Sequence, residues 1–194
     1  MYENSDSLFT FFSALSWGWV IFFGVAFVLI ASGLFTVDQQ KIAIIERFGK
    51  FVRLAHPGLN FKIPLIETIR GQLSLRIMQL DVDIETKTQD DVFVGITTSV
   101  QYRVRPNKVY EAFYILDDPT HQIQAYVFDV VRASVPNIKL DDVFAKKDDI
   151  AVAVRTELQE VMGDFGLDII KTLVTDINPD AKVKTAMNEI NEAV

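Results

Sequence analysis

The feature that most constrains this chain is a long uncharged segment near its N-terminus. No Asp, Glu, Lys, Arg or His occurs from Ser7 to Val37, and the apolar part covers residues 8–35. As a helix with a rise of roughly 1.5 Å per residue it would reach about 42 Å, which exceeds the roughly 30 Å hydrocarbon core of a bilayer. The sequence therefore predicts a transmembrane helix over about residues 8–35.

Besides a buried core helix, two alternatives to a membrane span are a cleaved signal peptide and a re-entrant hairpin. A signal peptide begins with basic residues and has a shorter apolar stretch, whereas Glu3 and Asp6 precede this segment. A hairpin usually needs a helix breaker at its apex, and the first proline of the chain is Pro57. The span is therefore favoured over both alternatives.

Basic residues flank the apolar segment on one side only. Lys41, Arg47, Lys50 and Arg53 follow it closely, and no Lys or Arg precedes it. By the positive-inside rule, this asymmetry predicts a single-pass protein of the plasma (inner) membrane with a cytoplasmic C-terminal domain. The absence of cysteine fits a reducing compartment.

Charge is also divided along the rest of the chain. Residues 38–76 hold seven Lys or Arg against three acids, a net charge of +4, and residues 77–194 hold 12 against 21, a net charge of −9. A basic region close to the membrane is attracted to anionic head groups, while the acidic body is repelled by them. So acidic a body is also a poor partner for nucleic acid.

Hydrophobic periodicity and turn signals after the apolar segment predict an α+β domain. Alternating apolar and polar residues predict that residues 76–86 and 92–105 form an antiparallel pair of strands. Helices follow, one of them with Asp118 as its N-cap and Pro119 at its first position. A last strand is predicted over residues 167–177.

An apolar loop lies within the basic region. Its apolar residues surround the polar Asn60 and Lys62. We expect this loop to enter the head-group region as a membrane contact, and burial in an edge strand is the alternative that the sequence leaves open. The residues of this hypothesis are Leu59, Phe61, Ile63 and Leu65, together with the basic Lys41, Arg47, Lys50 and Arg53.

The C-terminal residues predict a helix that begins at Asn178-Pro179. Its apolar residues are spaced four, three and four apart, which is the seam of a coiled coil. About two heptads are too short to hold a coiled coil alone, so we expect this helix to act in oligomerisation. The seam consists of Val183, Met187, Ile190 and Val194.

Residues suited to catalysis are scarce. The chain has no cysteine and two histidines, His56 and His121, and no serine lies in a recognisable nucleophile elbow. His121 lies close to Asp118, but an acid at a helix start is usually a cap. Other paired acids also stand at turns or helix starts, so no metal, cofactor or catalytic site is predicted. These pairs are Asp90-Asp91, Asp117-Asp118, Asp141-Asp142 and Asp148-Asp149.

Long strings of the sequence resemble a known family. VDQQKIAIIERFGKF followed by HPGLNFKIP is similar to the start of the SPFH domain, also called Band 7, of stomatins, prohibitins, flotillins and HflK/C. LSLRIMQLDV, ETKTQDDVFV, IQAYVFDVVRASVPNIKLDDVFAKKDDIA and MNEINEAV are similar to the hypersensitive-induced-reaction branch and its bacterial stomatin-like relatives.

The resemblance implies an N-terminal transmembrane helix followed by two α+β subdomains and the start of a coiled-coil helix. The corresponding boundaries are 1–37 for the anchor segment, 38–86 for SPFH1, 87–177 for SPFH2 and 178–194 for the coiled-coil start. Position 2 is Tyr2 rather than glycine, which excludes N-myristoylation.

For function, the resemblance implies a membrane scaffold and not an enzyme. Such proteins form large ring or cage homo-oligomers on the bilayer and regulate AAA+ proteases or channels. We expect neighbouring protomers to pair acidic with basic faces, so that assembly depends on salt. The alternatives are a membrane protease subunit, which requires a nucleophile and a base, and an accessory subunit of a channel or transporter.

Overall fold

The computed structural model describes Trp19 and residues 22–179 of the 194-residue chain. The fold is α+β, and the chain divides into two compact units, Met1–Gln72 and Leu73–Val194. The predicted subdomain boundaries stay predictions. The strands are β1 (Leu34–Val37), β2 (Lys41–Arg47), β3 (Lys50–Ala55), β4 (Gly58–Phe61), β5 (Glu67–Ser74), β6 (Met78–Lys87), β7 (Phe93–Val104) and β8 (Leu167–Pro179). The helices are α1 (residues 22–33), α2 (Val109–Tyr114), α3 (Pro119–Ser134), α4 (Leu140–Ala145) and α5 (Lys147–Asp164).

The predicted transmembrane helix is corrected by the structure. Among the described residues, no helix has both the length and the apolar character needed to cross a bilayer. The described helical residues of this segment are Trp19 and residues 22–33. The chain then becomes strand β1, because the backbone of Leu34 and Phe35 pairs with β4 instead of continuing the helix. Residues 8–18, 20 and 21 of the predicted span lie outside the described residues.

The first unit contains a two-stranded and a three-stranded sheet. β1 pairs antiparallel with β4, and β2 is the central strand of the order β3-β2-β5. The central position explains why β2 is rich in isoleucine, since its residues from Ile42 to Ile45 are almost completely buried. One core cluster joins the two sheets through Val37, Ala43, Ile45 and Ala55, with Phe35 and Ile69 packed against it.

The second unit is built on the antiparallel sheet β6-β7-β8. β6 and β7 pair antiparallel with Leu80 opposite Val100 and Ile84 opposite Ile96, which confirms the pair of strands predicted from the alternating pattern. The central strand β7 buries Val94, Ile96, Val100 and Val104 in the core, while Thr97 and Gln101 lie on the open face of the sheet. α3 packs against β6 and α5 packs against β8.

Helix starts in the second unit follow the predicted chemistry in part. The Asp118 side chain accepts a hydrogen bond from the backbone N–H of His121, and Pro119 is the first residue of α3, as predicted. The acid pairs at 141–142 and 148–149 lie in the first turns of α4 and α5, where the positive end of the helix dipole stabilises their carboxylates.

Asp90 stabilises a helix start from a distant part of the chain. Its Oδ1 accepts hydrogen bonds from the Thr88 hydroxyl at 2.6 Å and from the Leu140 N–H at 3.1 Å, at the beginning of α4. The Thr88 hydrogen bond, with a smaller contribution from the Leu140 N–H, lowers the pKa of the Asp90 carboxyl below its ordinary value.

The last described strand is longer than the sequence predicts. β8 continues through Asn178 and Pro179, where the helix was predicted to begin, because these residues pair with Gly95 and Val94 of β7. The predicted coiled-coil seam lies outside the described residues.

Two threonines in the core of the second unit give a testable prediction. The hydroxyls of Thr98 and Thr172 are buried and have no hydrogen-bond partner among the described residues. Because an unpaired buried hydroxyl costs free energy and valine has nearly the same shape, Thr98→Val and Thr172→Val are each expected to raise the free energy of unfolding by about 1 kcal/mol. Urea denaturation measures this change.

Thr97→Val is the matched control. Its hydroxyl lies on the open face of β7 and donates to the Asp83 carboxylate at 2.7 Å, so its replacement is expected to leave stability unchanged or lower it. A loss of stability in both core variants would contradict the prediction.

Candidate membrane-contact surface

The β1–β4 ribbon has one face toward the core and one face toward solvent. Side chains alternate along a strand, so Phe35 and Val37, which pack in the core cluster, share one face. Leu34 pairs with Phe61 on the other face, next to Leu59. These three side chains are 50%, 46% and 71% exposed, respectively. The ribbon therefore presents an apolar face outward.

The end of α1 meets this ribbon at Gly33. A side chain at this position would collide with the Phe61 ring, so the glycine permits the close approach. The Gly33 carbonyl accepts a hydrogen bond from the Lys62 N–H at 2.8 Å, which fixes the start of the loop after β4.

A turn over residues 62–66 carries the most exposed apolar side chain of the surface. The N–H groups of Ile66 and Glu67 donate to the Ile63 carbonyl at 3.3 and 2.9 Å and close the turn. Leu65 at its tip is 92% exposed and has a φ of 68°. A positive φ is unfavourable for a bulky residue, so the turn holds Leu65 outward at a cost in backbone strain.

The hairpin between β2 and β3 has a second strained apolar tip. Phe48 and Gly49 form its two-residue turn with φ angles of 50° and 79°. This turn type favours asparagine or aspartate followed by glycine, yet the first position holds a phenylalanine that is 83% exposed. Like Leu65, Phe48 is a bulky side chain held in the left-handed region and directed into solvent.

A buried carboxylate connects the hairpin tip and the turn. Glu67 is only 4% exposed, and its Oε1 accepts a hydrogen bond from the Arg47 guanidinium at 2.8 Å. Its Oε2 accepts from the Ile63 N–H at 3.1 Å and lies 3.8 Å from the Arg53 guanidinium. Because Arg47 precedes Phe48 and Ile63 opens the turn that carries Leu65, one side chain positions both apolar tips.

The same contacts perturb the titration of Glu67. The hydrogen bond from Arg47 is the largest cause that lowers the pKa of this carboxyl, followed by the Ile63 N–H, and together they outweigh the opposing effect of burial. The carboxylate is therefore ionised wherever the domain is folded at neutral pH.

The predicted membrane-contact residues fall into two groups. Leu59, Phe61, Ile63 and Leu65 are 71%, 46%, 39% and 92% exposed, which places them at the surface rather than in an edge-strand core. The basic residues are mostly engaged within the protein. Arg47 and Arg53 bind Glu67, Arg53 also donates to the Phe61 carbonyl, and Lys41 lies 2.6 Å from Asp38. Of the four, Lys50 alone is exposed without an ion pair to a described residue.

Sequence reasoning missed Leu34 and Phe48 as members of this surface. Leu34 lies within the predicted transmembrane helix, and the sequence predicts no membrane contact for Phe48. Gly49 suits the second position of a two-residue hairpin turn, but a phenylalanine before it is not a hairpin signal, so the sequence did not predict the exposed tip. The predicted oligomerisation residues Val183, Met187, Ile190 and Val194 lie outside the described residues.

The residues considered for catalysis do not form a site. His56 and His121 are both exposed, and Asp118 accepts from the backbone of His121, as a helix cap does. Across residues 22–179, no three His, Asp or Glu side chains are grouped closely enough to hold a metal ion.

Removal of the Glu67 charge tests the connection between the two tips. Glu67→Gln leaves Arg47 and Arg53 without their buried partner, so we expect about 2 kcal/mol lower stability at pH 7 and faster hydrogen exchange at the Ile63 amide. A carboxyl with a lowered pKa contributes stability above its ordinary pKa of about 4.5 and loses it as the pH falls through the lower folded-state value. The difference between the two proteins should therefore shrink below about pH 4.5.

Asp38→Asn is the control for a surface charge. Asp38 and Lys41 form an exposed ion pair, which typically contributes roughly 0–1 kcal/mol. An equal effect of Asp38→Asn and Glu67→Gln on the exchange of residues 61–67 would show that Glu67 does not hold the turn.

Comparison with known proteins identifies relatives of the chain. Hypersensitive-induced response protein 4 of Arabidopsis thaliana is 49% identical over 158 residues, which cover 81% of this chain and 54% of the relative. Stomatin-like protein 2, mitochondrial, of Homo sapiens is 27% identical over 158 residues, which cover 81% of this chain and 44% of the relative. Stomatin-like protein stl-1 of Caenorhabditis elegans has the same identity, with 48% of the relative covered. The chain thus spans about half the length of the curated relatives it matches.

A family model extends over most of the chain. The model of the SPFH domain / Band 7 family matches residues 35–193, from strand β1 onward. This match confirms the resemblance inferred from the sequence strings. The chain belongs to the SPFH domain / Band 7 family.

Proposed function

We propose that this chain is the SPFH module of a non-enzymatic scaffold that lies on a membrane and assembles with further copies of itself. The observation that carries the proposal is the apolar surface of the first unit, formed by Leu34, Leu59, Phe61, Leu65 and Phe48. Scattered apolar residues are common on protein surfaces, but bulky apolar side chains that strained backbone holds outward, as at Leu65 and Phe48, indicate an interaction site.

The shape of this surface suits contact with a bilayer better than it suits a groove that binds another protein. The apolar side chains project from separate tips rather than lining a concavity, and they can enter the acyl boundary side by side. Lys50 lies two residues after Phe48 and can meet an anionic head group as the tip enters. α1 adds further exposed apolar side chains, among them Phe22 at 62% and Phe27 at 72%.

The fold orders the apolar side chains before the protein meets a membrane. Glu67 holds the hairpin tip and the turn, so the apolar residues lose little conformational freedom at the membrane. We place the domain on the cytoplasmic side of the plasma membrane, in keeping with the basic residues after the apolar segment.

Assembly is the second part of the proposal. Net charges of +4 for residues 38–76 and −9 for residues 77–194 favour contacts between unlike regions of neighbouring copies. Confinement to a membrane raises the effective concentration, so individually weak contacts can produce a ring or a cage. Regulation of partners such as AAA+ proteases or channels would follow from such an assembly. A membrane protease subunit, which requires a nucleophile and a base, and an accessory subunit of a channel or transporter are the alternatives.

Vesicle flotation tests the membrane contact. A chain trimmed to residues 33–194 separates the surface from the N-terminal apolar segment, and near-UV circular dichroism checks that it folds. We expect it to float with vesicles that contain phosphatidylserine. Leu59→Asp combined with Leu65→Asp should lower the bound fraction roughly tenfold or more, because each buried leucine contributes about 1.5–3 kcal/mol.

Ile115→Asp combined with Val152→Asp is the matched control. Both residues are more than half exposed but belong to the second unit, so this variant should bind like the unchanged domain. Equal binding of the two double variants would contradict the membrane contact. On the same vesicles, chemical cross-linking should give multimers that decline as salt is raised, and monomers at every salt concentration would contradict assembly.

A further inference from the structure

The two edge strands of the second unit's sheet differ in regularity, and only one of them suits the addition of a further strand. Both β6 and β8 are edge strands in the order β6-β7-β8. An unpaired edge attracts further strands, and proteins usually interrupt the edges they do not use with bulges, charges or covering groups.

The β8 edge is interrupted. Its register against β7 shifts twice, and Ile170 and Thr175 are the extra residues at the two bulges. The Gln159 side chain of α5 also accepts a hydrogen bond from the backbone N–H of Ile169 at 3.2 Å. Bulges and a side chain bound to the backbone both prevent regular pairing with another strand.

The β6 edge is regular. Met78–Lys87 pairs with β7 over ten residues without a register shift. No described strand pairs with its other edge. The strand contains neither proline nor glycine, so its backbone groups are available for a continuous ladder.

The side chains of β6 specify what an added strand must carry. Asp81, Asp83 and Glu85 alternate along the open face and are all exposed, so they oppose pairing with a strand of like charge and favour one of opposite charge. The hydroxyls of Ser99 and Thr97 donate to Oδ1 of Asp81 and Asp83, at 2.5 and 2.7 Å. Oδ2 of each carboxylate can therefore accept a hydrogen bond from a lysine or arginine of a strand added beside β6, on the side away from β7.

The opposite face of β6 is incompletely covered near its start. Val82 and Ile84 are buried, whereas Met78 and Leu80, which precede them on the same face, are only half-buried. Apolar side chains of an added strand would complete this cover, since directly opposite residues on one face contact each other.

We propose that the free edge of β6 binds an extended segment of a partner protein, which carries Lys or Arg at alternate residues and apolar residues between them. The acids exclude β6 of a second copy as the occupant, because an antiparallel pair of these strands would place carboxylates opposite carboxylates. Main-chain hydrogen bonds provide affinity in strand addition, and the alternating side chains provide specificity. The inference goes beyond the membrane contact and does not depend on it.

The test uses the full chain in neutral detergent micelles, without a bilayer. The probe is a fluorescein-labelled, acetylated peptide of about ten residues that alternates lysine and valine, matched to the length of a strand. Fluorescence anisotropy should show saturable binding that weakens with salt. Asp83→Lys should weaken binding roughly tenfold through loss of one attraction and gain of one repulsion.

Asp176→Lys is the matched variant, since it makes the same charge change on the open side of β8 and should alter binding by no more than about twofold. A peptide with the same sequence but N-methyl groups at alternate residues should bind roughly tenfold more weakly or not at all, because it cannot complete the ladder. This comparison requires no protein variant. Absence of saturable binding, equal loss in the two variants, or undiminished binding of the N-methylated peptide would each overturn the proposal. Failure of vesicle flotation would leave this result unchanged, so the two proposals can fail separately.

Discussion

The ion pair between Glu67 and Arg47 is the interaction on which the surface of the first unit depends. Burial of a carboxylate is costly unless charges and hydrogen bonds replace water, and Glu67 receives both from Arg47 and the Ile63 N–H. The carboxylate therefore connects the start of β5 with the β2–β3 hairpin and with the turn after β4. Local hydrogen bonds close the turn that carries Leu65, and the pairing of β2 with β3 forms the hairpin at Phe48, while Glu67 ties these two features to each other.

The two units have similar sheets but expose different kinds of surface. Each contains a three-stranded sheet whose central strand, β2 or β7, is buried by its neighbours and by the apolar residues around it. The first unit exposes apolar side chains at Leu34, Phe48 and Leu65, and its Arg47 and Arg53 are engaged with Glu67. In the second unit the open face of the sheet is polar and acidic. This division agrees with a domain that meets a bilayer at one unit and other proteins at the other.

The sequence predicted those features that depend on near neighbours. The period of two in β7 and the Asp118-Pro119 start of α3 are local patterns, and the structure has both. Features that depend on distant residues were not predictable. Leu34 leaves the apolar helix because it pairs with Phe61 of β4. Asn178 and Pro179 have the residue types of a helix start, but they stay in β8 because they pair with β7. The role of Glu67 was missed because Arg47 lies twenty residues away. The composition of the loop predicts membrane contact, which stays a prediction, whereas the contacts of Arg47 and Arg53 with Glu67 join residues too far apart in the sequence to be predicted.

The depth of single side chains at a bilayer tests the central claim most directly. The chain has no cysteine, so Leu65→Cys and Phe48→Cys can each carry one nitroxide label, with Val152→Cys in the second unit as the reference. Electron paramagnetic resonance with oxygen and a water-soluble nickel complex as relaxation agents then reports the depth of each label in vesicles. The account predicts that labels at 48 and 65 lie below the phosphate level, where oxygen dominates, and that the label at 152 stays in water. Labels at 48 and 65 that are as accessible to nickel as the label at 152 would contradict it.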